Sequence, residues 1–230
     1  MNRMLRLIVI ALSAALGITI GFAVLQLPEA PVRLAPQVGA EIGNSGVEHP
    51  VTAVLLNFRG YDTFLEIAVL LLALIGVLTA TGEQRTGGVR VSGTPQAVLQ
   101  SIARALTPLM VVVAGYLLWA GAHQAGGAFQ AGAVLASCGV LLYLAGVIPA
   151  WTAPDLLLRA GLGSGFLVFL AVAIFPLFTT GASGGNLLGY PRQYAGMLIL
   201  LIEAALTISI GLILAGLFLW LPDEHEEAEE

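Results

Sequence analysis

Residues 51–80 read VTAVLLNFRGYDTFLEIAVLLLALIGVLTA, an apolar run interrupted near its start by Arg59, Asp62 and Glu66. As one straight helix this run would be about 45 Å long, about 15 Å more than the hydrocarbon of a bilayer. It must therefore break, tilt or lie flat. The tetrapeptide NFRG (57–60) supplies the place, because Gly60 is a poor helix residue and charges flank it. The sequence predicts a short helical or re-entrant segment over Val51 to Phe58, followed by a membrane span from Asp62 to Ala80.

Outward from this stretch the chain stays apolar. Of its 230 residues 58% are hydrophobic and 10% charged, and the mean hydropathy is +0.93, beyond what a soluble core requires. The class this implies is an all-α integral membrane protein. Five further spans are expected: Leu5 to Leu27, Leu106 to Ala120, Phe129 to Ile148, Ala160 to Phe178 and Ala195 to Leu221. The first could instead be a signal peptide, since Arg3 and Arg6 precede it, but its apolar run exceeds the 7 to 15 residues of a signal core. The stretch TGEQRTGGVRVSGTPQ (81–96) has the Gly, Thr and Ser content of a linker. The expected organisation is a two-span part over 1–81, a linker over 82–104, a four-span part over 105–221 and an acidic tail over 222–230.

The charge distribution sets an orientation. All nine basic residues are arginines, and the net charge of −5 comes from the tail. DEHEEAEE (223–230) alone carries −6, leaving +1 for the remainder, and such a run reads as a solvated end. With six spans both termini lie on one side. Placing them in the cytoplasm puts Arg3, Arg6, Arg85, Arg90, Arg104 and Arg159 inside and Arg33 and Arg192 outside, as the positive-inside rule prefers. The expected location is the inner (plasma) membrane of the cell. Nothing suggests nucleic-acid binding, and the lone Cys138 reads as a packing residue.

A charge at mid-membrane costs about 2.5 to 3.5 kcal/mol on insertion scales, so such residues usually pair or line a wet path. Arg59, Asp62 and Glu66 have the spacing i, i+3, i+7 of one helix face. A bland alternative is a capping box in TFLE, with Thr63 as N-cap and Glu66 reaching back to it. Glu203 stands alone in AGMLILLIEAALTISIGLIL (195–214), about 12 Å into its span. Thr207, one turn on, is a candidate donor to it. A lone carboxylate there is either a group that loads and releases protons or glue between two helices. His123 after the third span is a relay candidate or a plain loop residue, and His49 and His225 are weaker ones. No His or Cys pair has metal-ligand spacing, so no metal site is expected, and no Ser/His/Asp set or phosphate-cradling loop supports an enzyme. Ala128, Gly132 and Ala136 recur every fourth position, as do Gly161 and Gly165, a pattern that permits close helix approach.

Two motifs carry a resemblance. PVTAVLLNFRGYDTFLEIAVLLLALIGV (50–77) resembles the C-terminal region of the A subunit of Mrp-type cation/proton antiporters and the corresponding small subunit of membrane-bound hydrogenases, whose pattern is approximately VTAVLLDFRGFDTLGEI. From about Thr94 to Leu221 the chain resembles the B subunit (MnhB-like domain) of the same antiporters, most clearly in ARALTPLMVVVAGYLLWAGAHQAGGAFQAGAVLASCGVLLYLAG (103–146), where the family has approximately GH…PGGGFQGG. Asn57 stands where the family usually has Asp. Ala125, Ala128 and Ala131 replace Pro, Gly and Gly, while Gly126, Gly127, Phe129, Gln130 and Gly132 remain.

The resemblance implies a membrane subunit of a multisubunit Na+/H+ antiporter, or of a related redox-driven complex, with other membrane subunits as partners, no cofactor, and Na+ or H+ as cargo. Glu66 is the expected main ion-carrying carboxylate, assisted by Asp62 and tuned by Arg59; Glu203 is a second ion-path candidate on its burial alone, without support from the motifs, and His123, Gln130 and Thr207 are secondary candidates. Gly126, Gly127, Gly132, Gly161 and Gly165 are expected to pack helices. The competing expectations are a scaffold subunit that conducts nothing and a stand-alone transporter.

Overall fold

A computed structural model describes residues 3–27, 33–80, 97–149, 155–179, 188–191 and 193–220. Among these residues all regular structure is helical. Residues 1–37 form a unit of their own containing helix α1 (Arg3–Leu25). The second unit begins at Val38, within the short helix α2 (Leu34–Glu41). It continues through α3 (Pro50–Ala53), a π-helical turn (Val54–Phe58), α4 (Gly60–Ala80), α5 (Ala97–Ala120), α6 (Ala128–Leu144), α7 (Leu156–Thr179) and α8 (Ala195–Leu219).

Five of the described helices are long and apolar enough to cross a membrane, α1, α4, α5, α7 and α8; α6 is a shorter apolar helix. The protein is a multi-pass membrane protein. The break expected near residue 58 takes the form of the π turn, closed by the Arg59 N–H donating to Val54 O at 2.8 Å, and α4 starts at Gly60. The capping box does not form. Thr63 instead donates its hydroxyl to Leu55 O at 2.8 Å, satisfying a carbonyl of the widened turn.

Helix α7 starts at Leu156, four residues before the expected Ala160, and two other boundaries differ from the sequence reading for physical reasons. Helix α5 begins at Ala97, inside the expected linker, because Gln100, Ser101 and Arg104 lower local hydropathy while remaining compatible with a helix. Helix α6 stops at Leu144, before the expected Ile148. There Gly146 adopts φ +65°, and the N–H groups of Gly146 and Val147 bond to Tyr143 O and Leu142 O at 2.8 and 2.9 Å. These two bonds form a Schellman stop, which needs a left-handed residue. The linker over 81–96, the tail, and the sites of Arg85, Arg90, Arg192 and His225 lie outside the described residues.

Helix α8 is the centre of the second unit, packed between α6 and α7, while α5 lies against α6 and α4 touches both α7 and α8. Its apolar residues Ile199, Ile202, Leu206, Ile210 and Ile213 are almost wholly buried, as expected of a helix hydrophobic on all sides. Small residues bring the helices together. A Cβ on Gly132 would lie 2.8 Å from Ile210 Cγ2, one on Gly165 2.8 Å from Ser209 Cβ, and one on Gly161 2.6 Å from Leu212 Cδ1. The Ser209 hydroxyl donates to Leu162 O across the α7–α8 seam. Phe64 of α4 stacks on Phe166, ring centroids 4.8 Å apart, and meets Phe169 edge-on. Cys138 is a buried free thiol in α6.

Candidate functional site

At one end of this bundle three segments meet: residues 42–59, the turn 121–127, and the residues 188–191 and 193–194 before α8. Gly46 adopts φ +82°, and a Cβ there would lie 2.6 Å from Ala195 Cβ, so this loop lies directly on the start of α8. The N–H groups of Glu48 and His49 both donate to Ala122 O, at 2.9 and 3.0 Å, and the buried Thr52 hydroxyl donates to Gly121 O. These bonds hold the first segment against the second.

The turn itself is built from glycines. Gly127 N–H donates to Leu117 O at 2.8 Å, bending the chain back onto the end of α5. A Cβ on Gly126 would come 2.5 Å from that same carbonyl, and one on Gly121 would come 2.7 Å from Gly127 Cα. Gly127 sits at the N-cap of α6 with φ 109° and supplies no side chain to cap it. The cap comes from another helix: the Ala128 N–H donates to the Glu203 carboxylate.

Glu203 is 3% exposed. One of its oxygens takes the Ala128 bond. The other, Oε2, is buried with no hydrogen-bond partner. A buried carboxylate oxygen left in this condition costs about 1–3 kcal/mol or more, so it marks a place where something polar is meant to arrive. Thr207 does not meet that need: its hydroxyl donates to the Glu203 backbone carbonyl at 2.8 Å, the usual back-bond of a helical threonine.

Beside Glu203 lies a cavity of about 350 Å³, lined by His49, Thr52, Leu55, Thr63, Gly127, Phe129, Gln130 and Leu206 among others. A second, smaller space of about 270 Å³ is lined by Gly46, Glu48, Ala122 and His123 among others. Neighbouring residues 48 and 49 therefore face different cavities. His123 is exposed and leans on Trp119, ring centroids 5.2 Å apart.

The remaining sequence candidates lie elsewhere. Arg59 and Asp62 form an ion pair whose side chains are 62% and 46% exposed, and Glu66 is exposed on the outer face of α4. None of the three lines the cavity beside Glu203. Glu203 and Gln130 do. Sequence reasoning undervalued His49, read Thr63 only as a helix cap, and missed Thr52 and Gly121. Of these only Gly121, directly after the last residue of α5, had a local signal, the helix-stop glycine. Among the described residues no cluster of His, Cys, Asp and Glu is suited to a metal ion.

Asn57 acquires a role from this geometry. Its amide Nδ2 donates to Ser45 O at 2.7 Å, pinning the π turn to the loop that covers α8. An aspartate at 57 has no proton to give at neutral pH and would set two oxygens against each other. Asn57→Asp is expected to cost about 1–3 kcal/mol, read as a lower thermal midpoint of the detergent-solubilised protein.

Comparison with curated proteins gave no match. Two solved structures share the fold. A chain of the Mrp complex from Dietzia sp. DQ12-45-1b aligns over 97% of this chain with a TM-score of 0.71 and 20% identity, this chain spanning 26% of it. A chain of the membrane-bound sulfane sulfur reductase, described as an archaeal respiratory membrane complex, aligns over 94% of this chain and 97% of its own length, with a TM-score of 0.71 and 23% identity. The sequence family described as a domain related to the MnhB subunit of Na+/H+ antiporter matches residues 98–220, the segment that contributes the glycine turn, the α6 N-terminus and Glu203. With more than half of its length inside that match, the chain belongs to the family of domains related to the MnhB antiporter subunit.

Proposed function

We propose that this protein is a membrane subunit of a Mrp-like multisubunit cation/proton antiporter, or of a respiratory complex built on the same parts, and that it contributes a hydrated stretch of the Na+ or H+ route. Its partners are other membrane subunits, its location is the cell membrane, and both termini face the cytoplasm. The observation that carries this reading is the buried, unpartnered Oε2 of Glu203 beside a cavity of about 350 Å³. A carboxylate without a cation neighbour is kept in an apolar bundle where a positive cargo passes it.

Arg59, Asp62 and Glu66 occupy a different position in the proposal. They lie at the start of α4 on its outer side, where Glu66 meets the bilayer or an adjoining subunit and the Arg59–Asp62 pair limits the local net charge.

A scaffold role is the second reading, favoured by the cap that Glu203 gives α6. Transport by the assembled complex separates the two. Glu203→Gln and Glu66→Gln should leave the subunit in place and reduce coupled ion movement. Normal transport by both variants would establish the scaffold reading.

A further inference from the structure

The cavity beside Glu203 brings one other titratable side chain to the same space. His49 is half-buried, its backbone is fixed by the bond to Ala122 O, and it lines the cavity together with Glu203. Glu48 and His123 line the adjoining space on the other side of that backbone bond. We propose that His49 is the residue that passes protons between this end of the bundle and Glu203, so that the cargo taken at Glu203 is a proton and not a sodium ion. The inference rests on the reading that Glu203 lies on the ion route.

The lining favours a proton. Hard metal cations shed water only when about six oxygen ligands replace it. Here one Glu203 oxygen is committed to the Ala128 N–H, at the positive end of a helix, which repels a cation. Besides the carboxylate, the lining offers only the hydroxyl oxygens of Thr52 and Thr63, whose protons go to Gly121 O and Leu55 O, and the Gln130 amide oxygen, short of a full cation shell. Leu55, Phe129 and Leu206 make much of the wall apolar. A proton needs only one carboxylate oxygen. The volume accommodates several water molecules, enough to connect the imidazole to the carboxylate.

The step balances without any other reactant. Protonated His49 releases its N–H proton into the water chain, and the chain delivers a proton to the Glu203 carboxylate, forming an O–H bond. His49 is left as neutral imidazole and takes its next proton from the side of Glu48 and His123. Histidine is suited to this because its ring can take a proton on one nitrogen and release one from the other.

Two measurements on membrane vesicles carrying the whole complex test the proposal. In the first, pH-gradient-driven 22Na+ movement is compared for the parent, His49→Ala and Glu203→Gln, each relative to the parent at the same imidazole concentration. His49→Ala is expected to run at about one-tenth of the parent rate and to recover to at least half with added imidazole, whereas Glu203→Gln stays slow with or without it. A full rate in His49→Ala beside a slow Glu203→Gln overturns the relay, as does a slow His49→Ala that imidazole does not restore. A full rate in Glu203→Gln overturns the route reading itself. If His49→Ala is absent from the complex, His49→Asn takes its place under the same criteria. In the second measurement, dicyclohexylcarbodiimide labelling of Glu203 is expected to be unaffected by sodium chloride at about 100 mM. Protection by sodium would show that Na+ occupies the carboxylate and would overturn the proton assignment.

Discussion

Glu203→Gln is expected to leave the subunit assembled and to slow coupled ion movement by at least tenfold. The two halves of that expectation have separate causes. Glutamine matches glutamate in size, and its Oε1 can still accept the Ala128 N–H, so the cap on α6 persists in weakened form. What disappears is the titratable carboxylate that lines the cavity. An amide neither takes up nor releases a proton near neutrality and gives a cation no charge to bind. Glu203→Ala is a poorer probe, because it also leaves the Ala128 N–H without its acceptor and opens a void in a close-packed helix. Subunit content of the purified complex, measured beside initial transport rates, separates the two effects. Full-rate transport by the glutamine variant would remove Glu203 from the route.

Gly132→Leu is expected to prevent stable folding of the four-helix part, read as loss of the subunit from the membrane or a large drop in its thermal midpoint. Gly132 lies where α6 and α8 touch. A single Cβ there already meets Ile210 Cγ2 at 2.8 Å and Ile210 Cβ at 2.9 Å, with the Thr207 carbonyl at 3.2 Å. Ile210 is fully buried and β-branched, so it has no free rotamer into which to retreat. Opposite it, a Cβ on Gly211 would lie 3.3 Å from Gly132 O, so the backbones themselves are near contact. Overpacking of one or two methylenes costs about 1–3 kcal/mol, and leucine adds four carbons. Gly132→Ala is the graded control, with a smaller loss of the same sign. In membranes such small-residue contacts are a main source of helix association.

Much of the bundle was legible because the bilayer imposes one length and one polarity on every span. The break before Gly60 followed from length alone, and the small-residue positions in α6 and α7 followed from a four-residue repeat. Helix ends were less legible. Hydropathy registers the apolar middle of α5 and not its polar first turns, and the Gly146 stop in α6 depends on a backbone angle. The site divides in the same way. Glu203 stood out as a charge in an apolar run, but its partner, the Ala128 N–H, is a backbone group on another helix with no mark in the sequence. His49 and Thr52 reach the cavity only because residues 42–59 fold over the 121–127 turn, a long-range contact that no local pattern encodes. Arg59, Asp62 and Glu66 have the one-face spacing, yet that face points away from the cavity.

The interlocked contacts along α8 limit how the subunit can work. Helix α8 is gripped by α6 at Gly132 and Gly211 and by α7 at Gly161 and Gly165, all at distances that leave no clearance for sliding. Rocking one half of such a bundle against the other would tear both seams at once. On the proposed route, cargo would pass Glu203 by rotamer changes and water rearrangement inside a stationary frame, a conduit in which the walls keep still and only the contents move.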